Sequence, residues 1–248
     1  MYRSIALCVS VLALVFSVSA QKTHSAHWSY EGATGPEHWS ALSPDFSACQ
    51  AGRQQSPIDI TNPVNSDLSA IEFHYKPAEV KVIDNGHTIQ VNYPPGSYIV
   101  VEGHRYELVQ FHFHHPSEEL INGRRYDLVV HMVHQDADQH KAVVAVLANQ
   151  GPGNLAIDEV LKQLPRIKEK EVSTAGTIDP RDLLPKKRGY YQFKGSLTTP
   201  PCTEGVRWIV LKNPVTVSKS ALGQFSARYP HNARPAQPRN AREVLASR

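Results

Sequence analysis

The residues best suited to chemistry in this chain of 248 residues are three histidines within four positions, His112, His114 and His115. In a β-strand, residues two apart share a face, so His112 and His114 point the same way and His115 points to the other face. The strand leads toward Asn122-Gly123, a strong signal for a two-residue hairpin turn. If these two residues form the centre of the turn, His131 lies directly opposite His114, with Cβ atoms about 5 Å apart. The pattern therefore predicts His112, His114 and His131 on one face of a sheet.

Three neutral imidazoles on one face predict a zinc site, with the fourth tetrahedral position left for water. The alternative is three histidines that only pack in a core, but burying them without a common partner would be costly. Pro116 interrupts the strand, and a bulge there would slip the register and exchange His131 for His134.

Two other metal functions are weaker matches. The spacing His112-x-His114-x-x-x-Glu118 matches part of the cupin motif, which binds iron or manganese, but Gly123 follows Glu118 too closely for that motif. A zinc-storage protein would use the surplus histidines, of which the chain has 13. Their scattered placement disfavours storage, which would need several zinc ions per chain.

The elements that must position these residues are mainly strands. Runs of β-branched and aromatic residues, separated by turn signals, predict strands in the ranges 79–93, 98–115, 126–135, 141–148 and 206–217. Helical spacing predicts one helix over 154–164, with Asn154 as its cap, and a second short helix from Ser218. The ranges 30–65 and 176–189 are rich in Pro, Gly and Ser and are predicted to be long loops. With no repeat or linker, these patterns predict one mainly β domain.

The N-terminal segment and the net charge of the chain narrow the class of protein further. Residues 1–20 have the positive start, apolar centre and small-residue end of a secretory signal peptide, which leaves 21–248 as the mature, periplasmic or secreted chain. The apolar stretch is too short for a membrane span, so no membrane anchor is expected. The net charge is +3 with the charges interspersed, so no stripe for binding nucleic acid is expected.

Only Cys49 and Cys202 remain in the predicted mature chain. Two cysteines in an exported protein predict one disulfide, because the compartment is oxidising. A bridge that closes so long a loop contributes roughly 4 to 5 kcal/mol in the chain-entropy model.

Motif segments in order along nearly the whole mature chain point to a family. They are WSYEGATGPEHW at 28–39, QSPIDI at 55–60, NGH at 85–87, QFHFH at 110–114, SE at 117–118, HMVH at 131–134, GSLTTPPC at 195–202, VRWIVLK at 206–212 and NARPAQP at 232–238. The ordered set resembles the α-class carbonic anhydrases, particularly the bacterial periplasmic ones.

This resemblance implies a large, twisted, mostly antiparallel sheet with zinc at the floor of a cone-shaped cavity. It implies His112, His114 and His131 as the ligands and reversible hydration of CO2 to bicarbonate and a proton, with zinc hydroxide as nucleophile. The protein is expected to be a monomer or homodimer whose partners are CO2 and bicarbonate. The Cys49–Cys202 bridge is expected to pin the loop 197–199. The alternative is a non-catalytic, zinc-binding member of the same fold, which the complete ligand set disfavours.

The resemblance also assigns roles beside the zinc. Thr198 is expected to accept a hydrogen bond from the zinc hydroxide while donating its own proton to Glu118. A hydroxyl that must donate to a carboxylate can only accept from the nucleophile, so the nucleophile's lone pair is aimed at CO2. The uncharged substrate requires an apolar site, and the residues expected to form the substrate site are Val133, Val143, Leu197, Thr198, Thr199 and Trp208.

The proton must then leave the site. In carbonic anhydrases as a class, zinc lowers the pKa of bound water to about 7 and turnover reaches about 10^6 s⁻¹. Such a water releases its proton to bulk solvent at only about 10^3 s⁻¹ if protons return at a limit of roughly 10^10 M⁻¹s⁻¹. A side chain or a buffer must therefore carry protons, and histidine titrates in the right range. By resemblance this is His87, acting through a water chain lined by Tyr30, Asn85 and Gln90.

The sequence departs from the family at the support of the third ligand. Metal-bound histidines usually donate their second N–H to a partner. Gln110 shares the face of His112 and is predicted to serve it. For His131, many family members carry a glutamate two positions earlier, where this chain has Val129. Asp127 lies about 13 Å away along a strand, so the sequence predicts a less strongly held third ligand, or a backbone or water partner.

Overall fold

The computed structural model describes residues 26–248. The predicted signal peptide, residues 1–20, lies outside the described residues and stays a prediction. Within residues 26–248, no helix is both long enough and apolar enough to span a membrane.

Strands make up most of the regular structure in this part of the chain. They are β1 (Asp59–Ile60), β2 (Val64–Ser66), β3 (Glu72–His74), β4 (Ala78–Asp84), β5 (Ile89–Asn92), β6 (Tyr98–Val101), β7 (His104–His114), β8 (Leu120–Ile121), β9 (Leu128–Gln135), β10 (Lys141–Gln150), β11 (Val172–Ile178), β12 (Tyr190–Ser196), β13 (Glu204–Leu211), β14 (Val215–Val217) and β15 (Leu245–Ser247). The α-helices are α1 (Trp39–Leu42), α2 (Ala48–Ala51), α3 (Leu155–Lys162) and α4 (Lys219–Arg228), with 3-10 turns at Gly32–Thr34, Pro44–Phe46 and Pro180–Leu183.

Thirteen of the described strands form one sheet. Its main order is β11-β4-β5-β7-β9-β10-β13-β12-β15-β2, with β6 beside β7, β3 beside β6 and β14 beside β10. Most neighbours are antiparallel, and the parallel pairs are β10–β13, β10–β14 and β15–β2. The predicted fold, a large and mostly antiparallel sheet with a few short helices, is confirmed.

The sequence patterns locate the central strands well and the peripheral ones poorly. The predicted range 79–93 is two strands, β4 and β5, which turn at Asn85-Gly86. Strand β12 was not predicted, because Lys194 and Gly195 break its apolar pattern, and it forms through its antiparallel neighbours β13 and β15. The predicted loop 30–65 contains α1, α2, β1 and the start of β2, and the predicted loop 176–189 includes the end of β11.

The predicted register of the central hairpin is wrong by two residues. His131 lies opposite His112, and His114 lies opposite Val129. The tight turn does form, since Ile121 bridges Arg124 around Asn122-Gly123, but β8 pairs with β1 rather than with β9. Strand β7 ends at His114, and the following residues leave the ladder before that turn. A shift of two preserves side-chain parity, so the three histidines still share a face.

The two faces of the sheet bury different cores. Alternate residues of β9 and β10, such as Met132 and Val144, join a large core with helices α3 and α4. The intervening residues, such as Val129 and Val143, join a smaller core with Trp208. The three histidines of β7 and β9 lie on the side of this smaller core, where Trp208 lies against His131.

The helices begin where their sequences predict. The side chain of Asn154 accepts hydrogen bonds from two backbone N–H groups of the first turn of α3, and Ser218 does the same for one N–H of α4. In α4, Leu222 and Phe225 are buried against the larger core. Both helices therefore stabilise the back of the sheet and leave the histidine face uncovered.

Candidate active site

Three histidines from two neighbouring strands converge at the centre of the sheet. One ring nitrogen each of His112, His114 and His131 lies within 4.8 Å of the others. Antiparallel pairing puts His131 beside His112, and the strand repeat puts His114 on the same face as His112. The arrangement follows from strand parity together with one cross-strand pair.

Hydrogen bonds select the nitrogen that each β7 histidine presents. Nδ1 of His112 lies 2.9 Å from Oε1 of Gln110. Nδ1 of His114 donates to the backbone carbonyl of Asn232 at 2.6 Å. Both rings therefore turn Nε2 toward the shared point. Nε2 of His114 is buried and has no hydrogen-bond partner among the described residues.

His131 presents the opposite nitrogen. Its Nε2 lies 2.9 and 3.2 Å from the two carboxylate oxygens of Glu119. Its Nδ1 lies 3.8 Å from Oε2 of Glu118, which is beyond hydrogen-bond range. Nδ1 is thus the nitrogen left for a ligand.

The sequence predicted a less strongly held third ligand, or a backbone or water partner; the structure instead gives His131 a side-chain partner. Glu119, which is fully buried, supports it. Sequence reasoning gave a role to Glu118 alone, although the signal was present as two adjacent acids directly after the ligand strand. Their different partners depend on how the chain turns after Pro116, which no local pattern revealed.

Asn232 is a second residue that sequence reasoning missed. Its side-chain amide donates to the carbonyls of His87 and Phe113, both at 3.0 Å, and its side-chain oxygen accepts from the N–H of His115 at 2.8 Å. Asn232 therefore joins the segment near the C-terminus to β7 and positions the carbonyl that holds His114. It lies in one of the motif segments, and this was the sequence signal that could have pointed to a role for Asn232.

The electrostatics of the three imidazoles differ. Burial lowers the pKa of His112 to about 3, with a smaller contribution from the charge of His131. Burial and both neighbouring histidines lower the pKa of His114 well below its ordinary value. Burial also lowers the pKa of His131, but the charge and hydrogen bond of Glu119 and the charge of Glu118 outweigh it and raise the pKa. The β7 histidines are therefore held neutral, as metal ligation requires.

Glu118 is held beside this centre. Its carboxylate accepts the backbone N–H of Arg234 at 2.7 Å. Burial raises the pKa of Glu118 to about 7, and the side chain of Thr198 is among the groups that oppose this rise. Arg234 is itself buried and donates to the carbonyls of Ser56 and Cys49, both at 2.8 Å. The carboxyl is thus fixed in place by a rigid neighbour.

An apolar wall adjoins the histidines. Val143, Trp208, Val133 and Leu197 belong to one cluster, the first two buried and the last two partly buried. Val143 pairs with both Val133 and Trp208 across strands. The ring centroids of Trp208 and His131 are 4.9 Å apart. Three of the predicted apolar substrate-site residues are therefore neighbours across strands, Leu197 packs against the same cluster, and Trp208 lies against a candidate metal ligand.

The loop 197–199 is fastened at both ends. The N–H of Leu197 donates to Thr203 at 2.9 Å, and the N–H of Cys202 donates to the carbonyl of Thr199 at 2.8 Å. Cys202 forms the predicted disulfide with Cys49, so that prediction is confirmed. The bridge ties the loop that carries Thr198 to helix α2.

His87 lies apart from the histidine centre, at the β4–β5 turn. Its ring stacks on Trp28 with centroids 3.6 Å apart, and burial lowers its pKa. His87 and Tyr30 line the same surface pocket, which has a volume of about 260 Å³. None of the three converging histidines lines that pocket.

Polar side chains lead from His87 toward the centre. The Asn85 side-chain oxygen accepts the N–H of His87 at 3.0 Å, and its amide donates to Gln90 at 3.3 Å. Gln90 lies opposite His112 in the β5–β7 pair. Burial and the charge of Glu118 raise the pKa of Tyr30 well above its ordinary value, so Tyr30 stays a neutral donor.

Comparison with known proteins agrees with this geometry. The family model for eukaryotic-type carbonic anhydrase matches residues 34–248. The chain belongs to this family. It is 42% identical over 243 residues to a carbonic anhydrase of Pectobacterium carotovorum, with 98% of each chain covered. It is 44% identical over 232 residues to a carbonic anhydrase of Neisseria gonorrhoeae, covering 93% of this chain and 91% of that one.

Solved structures of the family have the same fold. The α-carbonic anhydrase of Thermovibrio ammonificans, in complex with the inhibitor sulfanilamide, superposes with a TM-score of 0.87 at 43% identity. The match covers 89% of this chain and 99% of that chain. The reaction of α-class carbonic anhydrases is the reversible hydration of CO2.

The residues present fit the zinc ion that this family implies. Three imidazoles are a ligand set that suits zinc and leaves one coordination position open. The buried Nε2 of His114, which lacks a hydrogen-bond partner within residues 26–248, needs one. The second nitrogen of each ring is already engaged, by Gln110, Asn232 and Glu119.

Proposed function

We propose that this chain catalyses the reversible hydration of CO2 to bicarbonate and a proton with one zinc ion held by His112, His114 and His131. The observation that carries the proposal is the convergence of three ring nitrogens whose opposite nitrogens are all engaged. Zinc bound there supplies hydroxide near neutral pH by acidifying water, as it does throughout this class. The remaining chemistry belongs to the side chains around it.

Glu118 and Thr198 orient the nucleophile in this proposal. Thr198 donates its hydroxyl proton to the Glu118 carboxylate, so its oxygen is left as an acceptor. The rigid hold on Glu118 through the N–H of Arg234 supports this role. The disulfide at Cys202 limits the movement of the loop that carries Thr198.

CO2 binds beside the histidines on the apolar wall. Val133, Val143, Leu197 and Trp208 offer no hydrogen-bonding group toward a substrate that has no charge, because the indole N–H of Trp208 already donates to the carbonyl of Ser196 at 3.0 Å. Thr199, at the end of the loop 197–199, completes the substrate site. The wall excludes water from the face that CO2 approaches.

His87 carries the proton out through ordered water. Its lowered pKa keeps the imidazole neutral at pH 7 and so able to accept a proton. Asn85 positions the backbone of His87, and Gln90 and Tyr30 supply polar groups for the waters. Stacking on Trp28 holds the ring near the pocket through which the proton reaches solvent.

The mature protein acts in an exported compartment, the periplasm or the extracellular space. The Cys49–Cys202 disulfide supports this location, because such bonds persist in oxidising compartments. The predicted signal peptide at 1–20 would deliver it there.

The decisive experiment is stopped-flow CO2 hydration by the purified mature chain, loaded with zinc or stripped by chelator. We expect turnover with zinc and none without. Replacing His87 by Ala should lower kcat in dilute buffer, with rescue by added imidazole, while KM changes little. His104→Ala, which removes an exposed histidine at the start of β7, is the matched control and should leave kcat unchanged.

A zinc-loaded sample without activity above buffer would contradict the proposal and favour a non-catalytic zinc-binding protein of the same fold. Activity that is normal in His87→Ala at all buffer concentrations would remove the shuttle role alone.

A further inference from the structure

The pair Glu119–His131 is a buried ionisable contact in which the proposed function gives Glu119 no role of its own. Glu119 is 0% exposed and His131 is 1% exposed. The only ion-pair contact of Glu119 among the described residues is with His131. Burying a carboxylate is costly unless it is paired, so the contact with His131 is what allows Glu119 to be buried here.

The contact determines which nitrogen of His131 faces the other two histidines. The imidazoles of His112 and His114 are held through Nδ1 and present Nε2. His131 is held through Nε2 by both oxygens of Glu119 and presents Nδ1. If the ring flipped, Nε2 would leave the carboxylate and Glu119 would be buried without a partner.

The backbone around Ser117 places the carboxylate. The hydroxyl of Ser117 donates to the carbonyl of Glu119 at 2.9 Å and accepts the N–H of Tyr126, also at 2.9 Å. The N–H of Ser117 donates to the carbonyl of Tyr126 at the same distance. These bonds tie the segment that carries Glu119 to the approach of strand β9, so the carboxylate is held by a closed turn.

The strand position two residues before His131, from which such a partner would come, carries no polar side chain. On β7, Gln110 supports His112 from two residues earlier on the same face. The equivalent place for His131 on β9 is Val129, which is fully buried in the smaller core. Because Val129 has no hydrogen-bonding side chain, Glu119 fills this need from outside the strand.

We propose that Glu119 is the positioning residue for the third metal ligand, His131. The turn at 117–119 supplies this carboxylate, because the strand position that would otherwise supply a partner is the apolar Val129. The inference rests on the proposed zinc site. Glu119 orients the ring of His131 and increases the basicity of its metal-facing nitrogen, since a partner that accepts the second N–H makes an imidazole a better ligand.

The test measures zinc affinity by competition with a chromophoric chelator, independently of activity. Glu119→Gln is nearly isosteric, removes the charge and keeps one acceptor oxygen, while Glu119→Ala removes the contact. We expect the zinc dissociation constant to rise about 10- to 100-fold, with Ala above Gln. Glu79→Gln, at an exposed site on β4, is the matched control and should match wild type.

Rescue separates positioning from a general loss of packing. In the double variant Glu119→Ala with Val129→Glu, a carboxylate two residues before His131 should recover most of the lost affinity. Val129→Glu in the presence of Glu119 should weaken zinc binding, because it buries a second carboxylate beside an occupied contact. Circular dichroism of the zinc-free variants verifies folding.

The outcomes are distinguishable. A wild-type chain that binds no zinc overturns both this inference and the proposed function. A wild-type chain that binds one zinc, together with Glu119→Gln and Glu119→Ala within twofold of wild type, overturns this inference alone. Loss of affinity without recovery in the double variant also overturns it, because the effect would then come from local packing. If Glu119→Ala does not fold, Glu119→Gln decides.

Discussion

The two strands that meet at the histidine centre support their imidazoles in different ways. On β7, His112 and His114 rest on neutral partners, an amide oxygen and a backbone carbonyl. On β9, His131 rests on a carboxylate. The difference appears in their pKa values. Burial lowers the pKa of His112 and His114, whereas for His131 the effect of burial is outweighed by Glu119 together with the charge of Glu118, and the pKa is raised.

The comparison extends along β9 itself. Within residues 26–248, the side-chain hydrogen-bond partner of His134, which lies on the opposite face, is the phenol of Tyr75 alone, at 2.8 Å. Burial lowers the pKa of His134 to about 4. Two histidines three residues apart on one strand therefore shift in opposite directions, and the partner's charge decides the sign.

Removing each ligand should expose the difference most strongly. His131→Ala and His114→Ala should both lose tight zinc binding, with a larger loss than the 10- to 100-fold typical of a lost hydrogen-bond partner. In the zinc-free proteins, however, His131→Ala leaves Glu119 as an unpaired buried charge, which costs about 3–5 kcal/mol. His114→Ala leaves only a neutral carbonyl unpaired, which costs about 1–3 kcal/mol.

Urea unfolding of the two zinc-free variants measures this contrast. Both variants delete the same imidazole from a buried site, so each controls for the cavity left by the other. A free energy of unfolding that is equal in the two variants, or lower in His114→Ala, would break the comparison.

A pH series tests the back of β9. Between the ordinary pKa of about 6.5 and the folded value of about 4, the unfolded chain holds a proton on His134 that the folded chain does not. Stability from this group is therefore present above pH 6.5 and is lost as pH falls, by about 3 kcal/mol between pH 7 and pH 4. The free energy of unfolding of the zinc-free protein should therefore change by about 3 kcal/mol less between pH 7 and pH 4 in His134→Gln than in wild type. An unchanged dependence would refute the assignment.

The smallest effect is expected at Gln110. Gln110→Leu removes a neutral partner of similar size, so the zinc dissociation constant should rise about 10-fold, at the low end for a lost hydrogen bond to a ligand. Chelator competition, run beside Glu119→Gln, ranks the two partners. A larger effect at Gln110 than at Glu119 would mean that charge is not what distinguishes the two strands.

Local patterns predicted much of the site because strand parity depends only on spacing. The positions of His112 and His114 on one face and of Asn154 at a helix cap each depend on neighbours along the chain. The cross-strand register was not local, and the turn at Asn122-Gly123 formed without extending its ladder to β7. The predicted register was wrong by two residues, and the predicted ligand set survived only because an even shift keeps each side chain on the same face.

What the sequence by itself determined is the set of chemical groups and the faces they occupy, since residue type and a period of two are written along the chain. What only the tertiary structure decided is which partner supports each histidine. Glu119 reaches His131, and the carbonyl of Asn232 reaches His114 across 118 positions, through segments that have no regular repeat. Such contacts depend on how turns close and how strands stack, and no local propensity encodes that arrangement.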